Sequence, residues 1–391
     1  MKKVFVIPTY WGPPLEHVKS ARKDFVLEHF TPLDGQCPVI NLLDSLKKLN
    51  DKDFAVVLLG VSNHKGYDIQ MQKKLQVLID PYKEFLDVKL FALRQMTRVR
   101  DLLTIKGFGE LTEHIEYGNP GQIKNLGLLA AHVLGAEIAI ILKDNSLIEL
   151  PDWLELATKN IGRALKGESA VYGAMGCSCV EGVKEKLPEW KEKSWDESSV
   201  VEELFNDNRG NMFLEGNTVV HRKLFEKIPY DPFILGKEDI DYLISSRMYG
   251  FEFILDEKFC VKSCSVPEKP EEWECFKRDA MGFMHIRKKL KTQPEAKEGF
   301  VPVPISSLQP YPAKFLESTL IPNVRAAGKL LTLQYNKTAK SDLAEKTEKL
   351  VSTLESAYEK EEKVFERYND FVCKWRKLMR ETGNFDKIFE D

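Results

Sequence analysis

Two short stretches of the chain carry residue types from which group-transfer chemistry is built. Lys143-Asp144-Asn145-Ser146 directly follows the apolar run from Ile138 to Leu142. A carboxylate at the end of a central strand can hold a divalent cation that bridges two phosphates and neutralises the charge developing as a diphosphate departs. The same four residues equally suit an Asp-Asn turn bonded to its own backbone. The second stretch is Glu238-Asp239, paired carboxylates at the start of a helix that follows Gly236-Lys237. A helix dipole stabilises acids there by about 0.3 to 1 kcal/mol, so the helix alone would account for them. Asp239 and Asp241, however, point about 200° apart around the axis, so only one of them can look into a cleft. A carboxylate fixed in this way can take the proton of a hydroxyl whose oxygen attacks an anomeric carbon.

Several elements must position these groups. Val4 to Tyr10 is β-branched and aromatic and runs into Pro8-Thr9-Tyr10-Trp11-Gly12-Pro13-Pro14, a strand followed by a loop. Phe54 to Leu59 is a continuous apolar run closed by Gly60, as suits a parallel sheet buried on both faces. Helical spacing around Ile69 to Ile79, a strand from Val88 to Leu93, a helix from Asn125 to Leu134 and a strand from Glu137 to Leu142 repeat the alternation, which predicts an open α/β sheet. Ligands of such sheets bind beyond the carboxyl ends of the strands, at Pro8-Thr9-Tyr10, Gly60-Val61-Ser62-Asn63 and Lys143-Asp144-Asn145-Ser146. The polar stretch from Gly182 to Met212 reads as a surface excursion or a lid. The proline-bearing stretch from Thr292 to Pro312 reads as a linker or wrapping segment. From Leu343, apolar positions recur at the three-four spacing of a helical seam through Leu350, Leu354, Val364, Tyr368, Phe371, Trp375 and Leu378. That seam fits one helix of about 40 residues, or two with a break near Tyr358 to Glu362, buried on the body or on a second copy.

Composition removes other classes. Fifty-seven Lys and Arg face 60 Asp and Glu, a net charge of -3, so no global basic field attracts a nucleic acid. No apolar run approaches the roughly 20 residues that span a bilayer, and the opening residues read as a first strand rather than a leader. Seven cysteines without a Cys-x-x-Cys pair argue for free thiols, a reducing compartment and a cytoplasmic location, with Cys177 and Cys179 as packed thiols. There is no nucleophile elbow and no phosphate-binding Gly-Lys-Ser/Thr loop, which sets hydrolase and kinase readings aside.

Taken in order, Val6-Ile7-Pro8-Thr9-Tyr10, Lys124-Asn125-Leu126-Gly127-Leu128, Leu142-Lys143-Asp144-Asn145-Ser146 with Pro151-Asp152-Trp153-Leu154, Gly216-Asn217-Thr218-Val219-Val220, and Gly236-Lys237-Glu238-Asp239 leading to Gly250-Phe251 resemble the nucleotide-sugar glycosyltransferases of the GT-A fold, close to the large family-2-type group. The resemblance covers about residues 3 to 266. It implies an α/β, Rossmann-like, mixed and mostly parallel sheet flanked by helices, here with a C-terminal helical extension. The corresponding division is a glycosyltransferase domain at 1–266 (a nucleotide-binding half at 1–146 and an acceptor half at 147–266), a linker at 267–312 and a helical region at 313–391.

The resemblance further implies that Pro8, Thr9, Tyr10, Lys124, Lys143, Asp144, Asn145 and Ser146 border a nucleoside diphosphate sugar. Gly216 and Asn217 would line the sugar and a hydroxyl acceptor, and Asp239, with Glu238 beside it, would be the base of an inverting transfer. Asp144 would be the ligand of Mg or Mn. Three departures stand out. Gly60-Val61-Ser62-Asn63 replaces the acidic cluster that usually follows the second strand, and Lys262-Ser263-Cys264-Ser265 stands where a histidine ligand is common. The Asp-x-Asp metal motif is reduced to Asp144 among Lys143, Asn145 and Ser146, where the Lys143 ammonium could take up part of the neutralising role. A catalytically degenerate scaffold that binds nucleotide sugars or serves assembly is the alternative, with the C-terminal helices as a route to a homo-oligomer.

Overall fold

The structure, a computed structural model, describes residues 1–17, 29–164, 169–180, 212–213, 216–256, 258–264, 271–309, 312–358, 360, 363–382 and 388–389. The stretch read as an excursion or lid lies almost wholly outside them.

The first strand, β1 (Lys3–Gly12), is buried along nearly its whole length because its alternate side chains feed two different apolar layers. Val4 and Val6 enter one, and Phe5 and Ile7 the other. Around it lie β2 (Thr31–Pro32), β3 (Phe54–Ser62), β4 (Asp87–Phe91) and β5 (Ile138–Leu142). Next along the chain come β6 (Ser146–Leu147), β7 (Val171–Met175), β8 (Ser178–Val180) and β9 (Met212–Phe213), then β10 (Asn217–His221), β11 (Glu252–Leu255) and β12 (Val261–Ser263). The main sheet has the order β11-β7-β10-β5-β1-β3-β4, with β2 paired to β1. All neighbours run parallel except at β10, which is antiparallel to both β5 and β7. A small second sheet, β6-β12-β8-β9, frames the region beyond the end of β5.

The helices α1 (Val39–Leu46), α2 (Asp68–Ile79) and α5 (Trp153–Thr158) bury their apolar faces on the layer of Phe5 and Ile7. On the other layer lie α3 (Leu93–Ile105), α4 (Pro120–Val133), α6 (Arg222–Phe225) and α7 (Glu238–Met248). The C-terminal helices α8 (Glu272–Thr292), α9 (Ala313–Leu316), α10 (Leu320–Lys337), α11 (Ser341–Tyr358) and α12 (Val364–Glu381) join the same layer. Helix α4 starts where it does because the Asn119 side chain accepts from the Gln122 N–H and Pro120 sits in the first turn.

The mixed, mostly parallel, helix-flanked sheet with C-terminal helices is the architecture expected from the sequence. Two readings need correction, and a third is decided between its alternatives. The segment at 267–312 is not merely a linker, since α8 runs for 21 residues inside it. Of the two forms the seam allowed, it takes the two-helix one, α11 ending at Tyr358 and α12 starting at Val364, with Leu354, Val364, Tyr368, Phe371, Trp375 and Leu378 buried within the chain. Cys177 is not a free thiol: a disulfide joins it to Cys260, their Cα atoms 4.6 Å apart, linking the loop after β7 to the start of β12. No described helix is long and apolar enough to cross a membrane.

Candidate functional site

The carboxyl ends of β1 and β5, the first turns of α4 and α7, and the residue before β10 converge on a narrow cleft. Pro8, Tyr10, Pro120, Lys124, Ile141, Leu142, Lys143, Gly216 and Glu238 line it. Its volume, open to solvent on one side, is about 310 Å³.

One wall is a buried charge cluster. Lys124 Nζ, on α4, donates to Glu238 Oε1 at 2.8 Å and to Asp239 Oδ1 at 2.7 Å. Asp239 accepts two further hydrogen bonds, from the Gly216 N–H to Oδ2 at 2.8 Å and from the Tyr230 hydroxyl to Oδ1 at 3.2 Å. Burial alone would lower the Lys124 pKa, but the charges of Asp239 and Glu238 outweigh it and hold the ammonium protonated well above the ordinary lysine range. Tyr230 is stacked on Tyr242 with centroids 4.1 Å apart, which fixes its hydroxyl. Lys237, which precedes α7 as its N-cap, is in the left-handed region at φ 61°, a conformation unfavourable for a side chain of this size. Its ammonium lies 3.2 Å from Asp279 Oδ2 on α8, and its backbone turn delivers Glu238 and Asp239 to the cleft side of the helix start.

The opposite wall is the turn after β5, closed by the Ser146 N–H donating to the Lys143 carbonyl at 3.0 Å. The turn expected from Asp-Asn is there, but its side chains do not bond to their own backbone. Lys143 lines the cleft. Asp144 is wholly buried, with Oδ1 2.7 Å from His29 Nε2 and Oδ2 accepting from the Tyr10 N–H at 3.4 Å. Asn145 Nδ2 donates to Ser263 Oγ and to the Cys264 carbonyl, and the Cys264 N–H returns a bond to the Asn145 carbonyl. Ser146 is buried in β6.

Gly216 joins the two walls. Its φ is +75°, and a Cβ there would lie 2.4 Å from Lys143 Cε, so the lysine stem passes directly over it. The Lys143 N–H also donates to the Gly216 carbonyl at 3.2 Å. Asn217 is buried away from the cleft lining, its amide donating to the Phe259 carbonyl at 2.7 Å and the Cys177 carbonyl at 3.3 Å. Thr9 is likewise buried, its hydroxyl 3.6 Å from Cys37 Sγ.

Of the residues singled out in the sequence, Pro8, Tyr10, Lys124, Lys143, Gly216 and Glu238 therefore share the cleft. Asp239 sits immediately behind it with both oxygens occupied, and Thr9, Asp144, Asn145, Ser146 and Asn217 hold the surrounding loops together. Sequence reading missed His29 and Tyr230. Neither lies in a recognisable motif; the only local signal is that each adjoins an aromatic or proline residue just before or after a strand-like run.

A hard divalent ion takes six or more oxygen ligands, several of them charged in most sites. Asp144 is the one carboxylate of the turn, and both its oxygens are already partnered. The Asn145 side-chain oxygen is buried without a partner, but it is a single neutral donor. Among the described residues no group of three His, Cys, Asp or Glu side chains gathers. His221 and His285 are engaged elsewhere, at the start of α6 and on Asp231. This donor set does not fit a Mg or Mn site centred on Asp144.

No family model and no curated protein matches the chain. Among solved structures, the chain is similar to a mannosyltransferase from Pyrobaculum calidifontis in complex with GDP-Man and Mn2+, at 14% identity over 98% of this chain and 88% of that one, with a TM-score of 0.45. It is also similar to glucosyl-3-phosphoglycerate synthase from Mycobacterium tuberculosis in complex with Mn2+, UDP and phosphoglyceric acid, at 13% identity over 75% and 80% of the two chains, with a TM-score of 0.38.

Proposed function

We propose that the chain transfers a glycosyl group from a nucleoside diphosphate sugar to a hydroxyl acceptor. The observation that carries this reading is the cleft at the strand ends, whose lining brings together a carboxylate paired to an ammonium, Glu238 with Lys124, and a second lysine, Lys143. A general base for the acceptor hydroxyl, and cations to receive a departing polyanion, are what inverting glycosyl transfer uses on the two sides of an anomeric carbon. In the proposed step the acceptor hydroxyl gives its proton to the Glu238 carboxylate as its oxygen bonds to the anomeric carbon. The bond from that carbon to the diphosphate oxygen breaks, and the electron pair leaves with the nucleoside diphosphate. Attack opposite the leaving group inverts the anomeric centre.

Within this reading Glu238, which lines the cleft, takes the proton. Asp239 is a positioning residue that fixes Lys124, the Gly216 backbone and the Tyr230 hydroxyl. Tyr10 and Pro8 form the floor on the nucleotide side. A second reading, a scaffold that binds nucleotide sugars without turnover, is favoured by the reduction of the Asp-x-Asp pattern to Asp144, both of whose oxygens are partnered within the protein.

The test is a panel of UDP-, GDP-, ADP- and dTDP-sugars assayed by thermal shift and by release of nucleoside diphosphate, with EDTA and with Mg or Mn. Stabilisation by one donor together with diphosphate release supports the enzyme. Stabilisation without release in any condition supports the scaffold, and the absence of any donor effect defeats both.

A further inference from the structure

Resting on the glycosyltransferase reading, we infer that Lys143, assisted by Lys124, takes the place of a divalent cation in neutralising the donor diphosphate, so that donor binding by this chain is independent of metal. Three observations converge on it. The position after β5 that points into the cleft is Lys143, whereas the acid next to it, Asp144, is turned out of the cleft lining and closed off by His29 and the Tyr10 N–H. The Lys143 stem is held against Gly216, whose lack of a side chain and φ of +75° leave a channel for it. An ammonium carried on a fixed stem keeps its charge in place without spending side-chain entropy at each binding event. Finally, among the described residues the donors near this turn do not gather as a cation cage: both Asp144 oxygens are partnered within the protein, and no group of three His, Cys, Asp or Glu side chains forms.

Charge balance gives the arrangement a sense of direction. Before reaction the Lys124 ammonium is shared between the carboxylates of Glu238 and Asp239. When Glu238 takes the proton of the acceptor, one negative charge is removed from this group at the moment the diphosphate gains one by bond cleavage. Lys124, until then shared between Glu238 and Asp239, is left with a single charged partner and gains attraction for the leaving group. A unit positive charge near a phosphate oxygen in a partly buried cleft is screened far less than in bulk water, so an ammonium there can take up part of a cation's role.

The test is calorimetric titration of the full chain with UDP, GDP and ADP, first in EDTA and then in excess Mn2+ or Mg2+. The expected result is binding of one diphosphate in EDTA with an affinity that metal changes by less than about threefold. Lys143→Met then weakens binding by about tenfold or more, equivalent to about 1.4 kcal/mol. Lys143→Arg, which keeps the charge, recovers most of it and shows that the site still folds. The double variant Lys143→Asp with Asn145→Asp, which rebuilds an acidic pair at the turn, makes binding depend on Mn2+. Binding by the wild type only in the presence of metal, or wild-type affinity in Lys143→Met, overturns this inference while leaving glycosyl transfer in place. Failure of every nucleoside diphosphate to bind under any condition overturns the glycosyltransferase reading and this inference with it.

Discussion

Lys124 is the residue on which the cleft wall depends. It is buried, as are the two carboxylates it holds, and removing one member of such a group leaves the others charged and unpaired. Lys124→Met is therefore expected to cost about 3 to 5 kcal/mol of stability, read as a lowered urea midpoint. The sign with pH follows from the raised folded pKa: this contribution is complete below the ordinary lysine pKa of about 10.4 and is lost only as pH rises through the higher folded value. Wild-type and Lys124→Met stabilities should thus differ by the same amount at pH 7 and pH 9; a gap that closes by pH 9 contradicts the assignment. A second residue-scale prediction concerns Cys37. Burial, and next the charge of Asp144, push its thiol up to about 12. Native protein treated with iodoacetamide at pH 8 should be alkylated at exposed Cys373 and not at Cys37, as read by peptide mass. The identities of Asp144, Lys143, Glu238 and Asp239 were legible in the sequence because each lies beside a strand end or helix start. Their partners were not, since His29 meets Asp144 across 115 residues and Tyr230 approaches Asp239 from a loop with no periodicity.

At the scale of elements, α7, α8 and α12 are tied together by a second buried cluster. Lys289 Nζ on α8 lies 2.7 Å from Asp231 Oδ2 and 2.6 Å from Asp241 Oδ2, and 3.8 Å from the ring centre of Tyr368 on α12. His285 Nε2 approaches the same Asp231 oxygen at 2.8 Å. Burial works against a charged Asp231, yet Lys289 and His285 outweigh it and hold its carboxyl well below the usual range. Asp241 is pushed the other way because burial dominates over its one cationic contact, and its second oxygen has no partner. Asp231 therefore supplies stability that is complete above the ordinary carboxylate pKa of about 3.9 and is lost as pH falls below it. Asp231→Asn should lower stability at pH 7 more than Asp241→Asn does, and should flatten the loss between about pH 4 and pH 2, both measurable by urea denaturation across pH. The cluster also explains why α8 escaped detection. Asp279, Arg287, Lys288 and Lys289 are buried on it beside Phe276, Phe283 and Leu290, so its inward face does not read as apolar. The parallel strands, apolar on both faces, were plain for the opposite reason.

Across the whole molecule, the C-terminal helices are part of the sheet-bearing body rather than an appendage. One apolar layer runs continuously from Val4 in β1 to Trp375 and Leu378 in α12. Trp375 is fully buried and its indole N–H donates to the Phe225 carbonyl at 2.8 Å, while the Tyr368 hydroxyl donates to the carbonyl of Pro229, the neighbour of Tyr230. Trp375→Ala is expected to cost about 3 to 5 kcal/mol in urea denaturation, in a single transition shared by the sheet and the tail. A separate early transition for the tail would contradict that unity. The seam's spacing revealed that these helices exist but not what they cover, because an apolar stripe fits a neighbouring helix and a second copy equally well.

The central claim is that the cleft between Lys143 and Glu238 performs glycosyl transfer with Glu238 as the base. Its most direct test is the rate of nucleoside diphosphate release in the presence of acceptor, compared between the wild type and Glu238→Gln with the donor that stabilises the protein. Glu238→Gln is expected to lower that rate by about a hundredfold or more with donor affinity nearly retained. An undiminished rate in Glu238→Gln would contradict it.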